Sequence, residues 1–364
     1  MSTLTAELES DLRNTPERPA RSAMPETNAE QTPDGAFRRQ RNWFTKRFGA
    51  GPGFVAPEPG RYLLLGSVGC GWARRQLITL RLLGLTEAVP FVLLTARDEQ
   101  GWRIASHGND LQERFGTNLL NDFYRRTDPS FQGRGTSPTV LDAQTGTVVT
   151  NNYHPLSLEW ETAWKPFQDP QAPDLYPAEL RAEIDLLNQQ IFDDVNNGTY
   201  KVIFATNPGA ARAAKRIFEA RLADYDFRLA SRRYLFGPKL TDSDVRLFVT
   251  LSSYERGYRP AIAAIFGEEN TAHLQDYPNL WGYARDLFAQ GFVDDRELYF
   301  LDLLPGPSGE YIGGGFFADG SERPDPVAAL AQWREPAGRE HLEGSVLSSG
   351  PGAGGSSELW RFGV

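Results

Sequence analysis

Gly66-Ser67-Val68-Gly69-Cys70-Gly71-Trp72-Ala73-Arg74-Arg75 decides how this chain is read, and it carries the only cysteine among 364 residues. The apolar run Tyr62-Leu63-Leu64-Leu65 before it has the pattern of a buried strand. After it, Leu77, Ile78, Leu80, Leu82, Leu83 and Leu85 form a helix-long apolar segment closed by Gly84. Strand, glycine turn and helix put Cys70 at a helix N-terminus. There the free backbone N–H groups and the positive end of the helix dipole favour a thiolate, the nucleophilic form, and Arg74 and Arg75 add positive charge. A lone cysteine also serves as a small buried hydrophobe. A packing role would sit more naturally inside the helix than between two glycines at a turn.

With 40 % apolar and 12 % aromatic residues the chain can build sizeable cores, and its length suits two domains with appendages. A formal net charge of −9 argues against nucleic acid or an anionic membrane as the main partner, because both select basic surfaces. No apolar run approaches membrane-spanning length and no secretory h-region is seen, so a cytoplasmic location is expected. A single cysteine allows no intrachain disulfide; any disulfide of Cys70 is with a small thiol or another chain. The four histidines, His107, His154, His273 and His341, share no ligand spacing with each other, with Cys70 or with a carboxylate, so no metal is expected.

Residues 1–33 are polar and without periodicity, the composition of a mobile tail. In the lead-in 34–59, Phe37, Trp43, Phe44 and Phe48 alternate with Arg38, Arg39, Arg41, Lys46 and Arg47, as expected of a segment packed on the domain that follows. Residues 60–156 read as one α/β unit. The strand and helix around Cys70 are followed by a strand at Val89–Leu94, a polar stretch through Trp102, His107 and Asn109, and a short helix at Leu119–Arg126. A β-hairpin then runs from Ser137–Asp142 through Gly146 to Thr147–Thr150, with Pro138 at an edge or in a cis bond. This order is that of a thioredoxin-like domain, in which Cys70 and Thr139 face one small pocket.

A linker is expected over 157–173 and an all-helical domain over 174–300. Pro177 opens a helix that buries Leu180, Ile184, Leu187, Ile191 and Val195 and stops at Asn197-Gly198. A second, after Asn207-Pro208, buries Ala213, Ile217, Leu222, Tyr225 and Leu229. Thr241 and Asp244 make a capping signature before Val245, Phe248, Val249 and Leu251, which assigns Asp244 to capping and not catalysis. A further helix spans about Pro278–Gln290. The extension 301–364 is rich in Gly, Pro and Ser and reads as irregular.

A thioredoxin-like domain followed by a helical bundle with this Thr-x-x-Asp box resembles the glutathione transferases, and more closely their Xi class, the glutathionyl-hydroquinone reductases. The resemblance runs from about Asp34 to Asp295. It rests on Gly35-Ala36-Phe37-Arg38-Arg39-Gln40 with Arg41-Asn42-Trp43, Pro59-Gly60-Arg61-Tyr62, Asp174-Leu175-Tyr176-Pro177 and Val195-Asn196-Asn197-Gly198-Thr199-Tyr200-Lys201. Arg233-Tyr234-Leu235-Phe236-Gly237 and Asp276-Tyr277-Pro278-Asn279-Leu280-Trp281 complete it.

The resemblance implies a dimeric thiol-dependent enzyme whose cysteine attacks the sulfur of a glutathionyl-hydroquinone, leaving a mixed disulfide that a second glutathione resolves. The family's Cys-Pro-Trp-Ala is here Cys70-Gly71-Trp72-Ala73. Its Ser-Asn-Glu-Ser, whose Glu and Ser hold the γ-glutamyl end of glutathione, is here Thr150-Asn151-Asn152-Tyr153. The cosubstrate is therefore expected to be glutathione or another low-molecular-weight thiol, met by Cys70 with Trp72, Arg74, Pro138, Thr139, Asn152 and Tyr153. Tyr254 and Tyr258, one helical turn apart, and His154 are expected on the side of an aromatic electrophile. The alternatives are an S-transferase using a thiol such as mycothiol, and a ligand-binding relative without catalysis.

Overall fold

The computed structural model describes residues 31–39, 41–67, 69–106, 109–293, 297–298, 326–344 and 347. Most of the expected mobile tail, His107, and residues 301–325, 345–346 and 348–364 of the expected irregular extension lie outside them.

The central sheet has five strands, β3 (Tyr62–Gly66), β4 (Phe91–Asp98), β5 (Gly101–Ile104), β6 (Thr139–Asp142) and β7 (Thr147–Thr150), in the order β5-β4-β3-β6-β7; the two-residue strands β1 (Arg47–Phe48) and β2 (Phe54–Val55) pair separately. β3 runs parallel to β4 and antiparallel to β6. The crossover from β3 to the parallel β4 is made by α1 (Gly71–Leu82), which ends at Gly84 with φ +68°, where the left-handed conformation suits a residue without Cβ. All of β3 is buried, and its side chains alternate in destination. Tyr62 and Leu64 join the cluster that holds Ile78, Trp160 and Leu247; Leu63 and Leu65 pack with Val92, Ile104, Phe123 and Tyr124 on the other face. This is the expected thioredoxin-like domain, with two helices α2 (Leu111–Phe115) and α3 (Leu120–Thr127) before the hairpin. The stretch expected to interrupt after Leu94 instead extends β4 to Asp98 and turns back as β5.

Ser137-Pro138 is a cis peptide, one of the two settings expected for that proline. α4 (Tyr153–Thr162) follows β7 at once, so the expected linker 157–173 starts inside a helix, and Trp160 and Trp164 are fully buried against Phe48. The helical half contains α5 (Arg181–Gln190), α6 (Gly198–Phe204), α7 (Pro208–Leu229), α8 (Asp242–Ser253), α9 (Arg259–Phe266) and α10 (Pro278–Ala289). Two wide π-helical turns, Ile191–Asn196 and Tyr254–Tyr258, extend α5 and α8. Asn197-Gly198, expected as a stop, joins the first of these turns directly to α6. In α7 the buried stripe is Ala211, Phe218, Leu222, Tyr225 and Leu229; Ile217, expected inside, is 53 % exposed and Ala213 is exposed, because Asn207 caps Gly209 and Ala210 and sets a different phase.

Part of the extension is ordered. α11 (Pro326–Trp333) sets Trp333 edge-on to Trp281 at 4.9 Å, and buried Arg339 donates to the carbonyls of Leu229, Asn279, Arg232 and Arg233. Among the described residues no helix is long and apolar enough to cross a membrane.

Candidate functional site

Cys70 stands at the N-cap of α1 with extended backbone (φ −92°, ψ 111°), partly exposed, and its Sγ lies 3.4 Å from the Ser137 carbonyl that precedes cis-Pro138. Ser137 Oγ in turn accepts from Ser67 N at 3.0 Å, tying the end of β3 to the start of β6. Cys70 and the proline turn therefore face each other, as the order of elements implies. Thr139 is fully buried and its hydroxyl is taken up by the Thr136 carbonyl and the Tyr124 hydroxyl, which leaves only its backbone for a ligand.

Arg74 and Arg75 do not splay into solvent. Arg74 reaches across to α8 and donates to Ser253 Oγ at 2.8 Å and Ser252 Oγ at 3.0 Å. Arg75 is fully buried and donates to the Tyr153 carbonyl; burial, with Arg246 close by, pulls its pKa down. Arg246 is held by Asp242 at 2.5 Å and donates to Ser157 Oγ and to the His154 carbonyl. These contacts pin the corner Asn152-Tyr153-His154 between α1 and α8.

At that corner Asn152 caps α4. Its Oδ1 accepts from His154 N at 3.4 Å and from Asn42 Nδ2 of the lead-in at 3.0 Å. The lead-in pairs with the hairpin end on both sides of this contact: Phe44 N donates to Asn151 Oδ1 at 2.9 Å, and Asn151 N to Phe44 O at 3.0 Å. The Tyr153 ring packs on Trp72 at 4.6 Å with its hydroxyl buried and unpartnered, and burial raises its pKa to about 12. His154 lies against Tyr153 at 4.3 Å and edge-on to Phe192 at 4.5 Å; burial first, then Arg75, Arg246 and Arg39, hold it down at about 3, so it is neutral at physiological pH.

The two tyrosines of the π-helical turn part company. Tyr254 is buried against Phe218 and donates to the Ala272 carbonyl at 2.9 Å, an anchor within the helical half. Tyr258 instead faces α1, where a Cβ on Gly71 would lie 3.7 Å from its hydroxyl, and it is hydrogen-bonded to Tyr200. Inserting one residue into the helical period rotates successive side chains off the expected common face.

Three members of this cluster were not singled out by sequence reasoning: Arg39, Phe192 and Tyr200. Trp72 is ringed by Tyr153, Phe192 at 5.7 Å and Tyr200 at 6.0 Å, with the Arg39 guanidinium 4.7 Å over it. They come from the lead-in, a π-helical turn and α6, so only the fold assembles them. The one available signal was an arginine embedded among the aromatics of the lead-in.

No family model matches the chain. It is 34 % identical over 272 residues to the glutathionyl-hydroquinone reductase YqjG of Escherichia coli, covering 70 % of this chain and 79 % of that one. The Xi glutathione S-transferase of Phanerochaete chrysosporium superposes with a TM-score of 0.64 at 32 % identity, over 71 % of this chain and 83 % of that one. The glutathione-bound structure of YqjG superposes with a TM-score of 0.64 at 29 % identity, over 85 % and 98 %. Thioredoxin-like domain, helical domain and relatives agree: this chain is a thiol-dependent enzyme and a divergent member of the Xi-class glutathione transferases, the family of the glutathionyl-hydroquinone reductases.

Proposed function

We propose that the protein is a thiol-dependent reductase of thiol-conjugated hydroquinones, with Cys70 as nucleophile. The observation that carries this reading is the Cys70 sulfur at the start of α1, 3.4 Å from the carbonyl before cis-Pro138. The Cys70 thiolate attacks the sulfur of the conjugate. An S–S bond forms, the carbon–sulfur bond breaks with its electron pair going to the ring carbon, and that carbon takes a proton as the free hydroquinone leaves. Tyr258, over the first residue of α1, is the phenol placed to relay that proton. A second thiolate then attacks the mixed disulfide, restoring Cys70 and releasing the disulfide of the small thiol. In sum, the conjugate's thioether sulfur and one free thiol end as a disulfide, and the ring carbon gains two electrons and one proton in place of the sulfur. Such chemistry requires a reduced Cys70, which supports a cytoplasmic location.

Glutathione is the first candidate thiol, through the glutathione-bound relative. A second reading has its own observation: the site of the family's ammonium-binding carboxylate is Asn152, hydrogen-bonded to Asn42, which favours a thiol without a free ammonium, such as mycothiol, in reduction or conjugation. Intact-mass measurement after incubation with glutathione disulfide and with mycothiol disulfide separates the two by the mass added. Adduct formation and turnover should both vanish in Cys70→Ser, with a loss of at least about a thousandfold in rate. An adduct-free wild type with either disulfide, or an active serine variant, would remove Cys70 from the mechanism.

A further inference from the structure

Arg39 enters the ring cluster beside Cys70 as a cation with no carboxylate partner among the described residues. Its guanidinium carbon lies 4.2 Å from the Tyr200 ring centre, 4.7 Å from that of Trp72 and 5.5 Å from that of Phe37. Nε donates to a neutral acceptor, Asn197 Oδ1, at 3.0 Å, and Nη2 is buried with no hydrogen-bond partner. Other arginines with little exposure are matched to an acid, Arg81 to Glu297, Arg233 to Asp286 and Arg246 to Asp242, or to several hydroxyl or carbonyl oxygens, as Arg74 and Arg339 are; Arg39 has one neutral acceptor and otherwise ring faces. Aromatic faces offset part of the lost hydration of a guanidinium, but a buried charged donor without an acceptor remains costly. The charges of Arg39 and Cys70 both bear on the hydroxyls of Tyr153, Tyr200 and Tyr258, so the cation and the nucleophile address the same small volume.

We propose that this ring cluster receives the aromatic group of the substrate and that Arg39 selects it by a carboxylate carried on the arene, so that the preferred substrates are thiol conjugates of aromatic acids. The proposal rests on the Cys70 reading above and names its substrate class. The walls are flat rings, which stack on an arene. An uncharged phenol cannot neutralise a guanidinium at pH 7, whereas a carboxylate is ionised there and matches the edge that Nε leaves open. The thiol too can carry a carboxylate, but a peptide end does not fill a ring-lined wall as an arene does.

The test uses hydroquinones bearing a carboxylate, or its methyl ester, each conjugated to glutathione and to cysteamine, which has no carboxylate. In Arg39→Gln, kcat/KM on the acids should fall about tenfold to a hundredfold more than on the esters, with either thiol, and Arg39→Lys should keep part of the preference for the acids. Equal losses on acid and ester would overturn the assignment, as would a loss seen with glutathione conjugates and absent with cysteamine ones, since the carboxylate would then be the thiol's. Binding of the unconjugated acid and ester to Cys70→Ser, read by tryptophan fluorescence, separates this inference from the chemistry. Tighter binding of the acid that disappears with Arg39→Gln supports it whatever the fate of Cys70, and equal binding of acid and ester overturns it even if Cys70 is the nucleophile.

Discussion

At the N-terminus of α8, Asp244 accepts from Leu235 N at 2.9 Å, Thr241 N at 2.8 Å, Thr241 Oγ1 at 3.0 Å and the Tyr283 hydroxyl at 2.8 Å. Around the N-termini of α1 and α4, by contrast, Trp72 Nε1, Arg75 Nε and Nη1, the Tyr153 hydroxyl and Arg39 Nη2 are all buried with no hydrogen-bond partner among the described residues. Both regions lie around helix starts and both bury charge, the first within the helical half and the second where the chain's two halves meet. In the first, the hydrogen-bonding capacity of one carboxylate is matched by four donors, so its task is completed by folding. In the second, donors are held in place by packing and left without acceptors, a state that folding alone does not favour. Unsatisfied groups gathered around the cluster beside Cys70 break the rule of local consistency, as functional sites do.

The contrast breaks most easily at Asp244. Asp244→Ala strands four donors in a buried position and should cost about 3–5 kcal/mol, read as a fall in the urea midpoint with unchanged slope. A loss below about 1 kcal/mol would mean that the corner is no more tightly held than the other one. Burial raises the Asp244 pKa to about 6 against this donor set, so the donors are what keep the acid usable as a cap near neutrality.

His154 is the next lever, on the other corner. Its folded pKa of about 3 lies below the ordinary 6.5, so the unfolded chain takes up a proton on acidification that the folded chain refuses. Stability contributed by the neutral ring is fully present above pH 6.5 and is lost as pH falls from there toward 3, on the order of 5 kcal/mol at most. His154→Gln should flatten that part of the stability profile in denaturant melts at stepped pH. The same acid slope in variant and wild type would show that the ring is as solvated folded as unfolded.

Tyr153→Phe discriminates between the corners with a smaller effect of opposite sign. Removing a buried hydroxyl that has no partner should leave stability unchanged or raise it by about 1 kcal/mol, while the affinity for the small thiol falls. Destabilisation with unchanged thiol affinity would make Tyr153 a structural residue like Tyr283.

What the sequence made legible divides along the same line. The Thr241–Asp244 cap, the cis-Pro138 turn, the α1 start at Cys70 and the Pro278 helix are local signals, three or four residues in which side-chain chemistry and backbone geometry agree, and each was readable. β5 was hidden because four residues after a Gln-Gly turn carry too short an alternation to announce a strand. α6 was hidden because Asn197-Gly198, a common helix stop, here joins a π-helical turn to a new helix. The same kind of turn sends Tyr254 and Tyr258 to different neighbours, since their spacing fits one face of an α-helix but not of a wider one. Arg39 meets Trp72 and Tyr200 across long stretches of chain, and no periodicity encodes that meeting.

Gly71 offers the finest test, because there the family's proline has been given up with no backbone reason. Cys70 already has the extended conformation that a following proline demands. Gly71 is the first helical residue, where a missing N–H breaks no intrahelical bond, and an added Cβ would meet the Tyr258 hydroxyl at 3.7 Å, an ordinary contact. Gly71→Pro should therefore stabilise the fold by about 0.5–1 kcal/mol through the unfolded chain's lost freedom. What it removes is one N–H beside the nucleophile. If the stabilised variant turns over thiol conjugates as fast as wild type, the glycine is a tolerated substitution and the donors at this corner are fewer than they look. If stability rises while kcat/KM falls and the rate of Cys70 adduct formation falls with it, the Gly71 N–H belongs with Arg39 and Tyr153 among the groups that wait for the ligand.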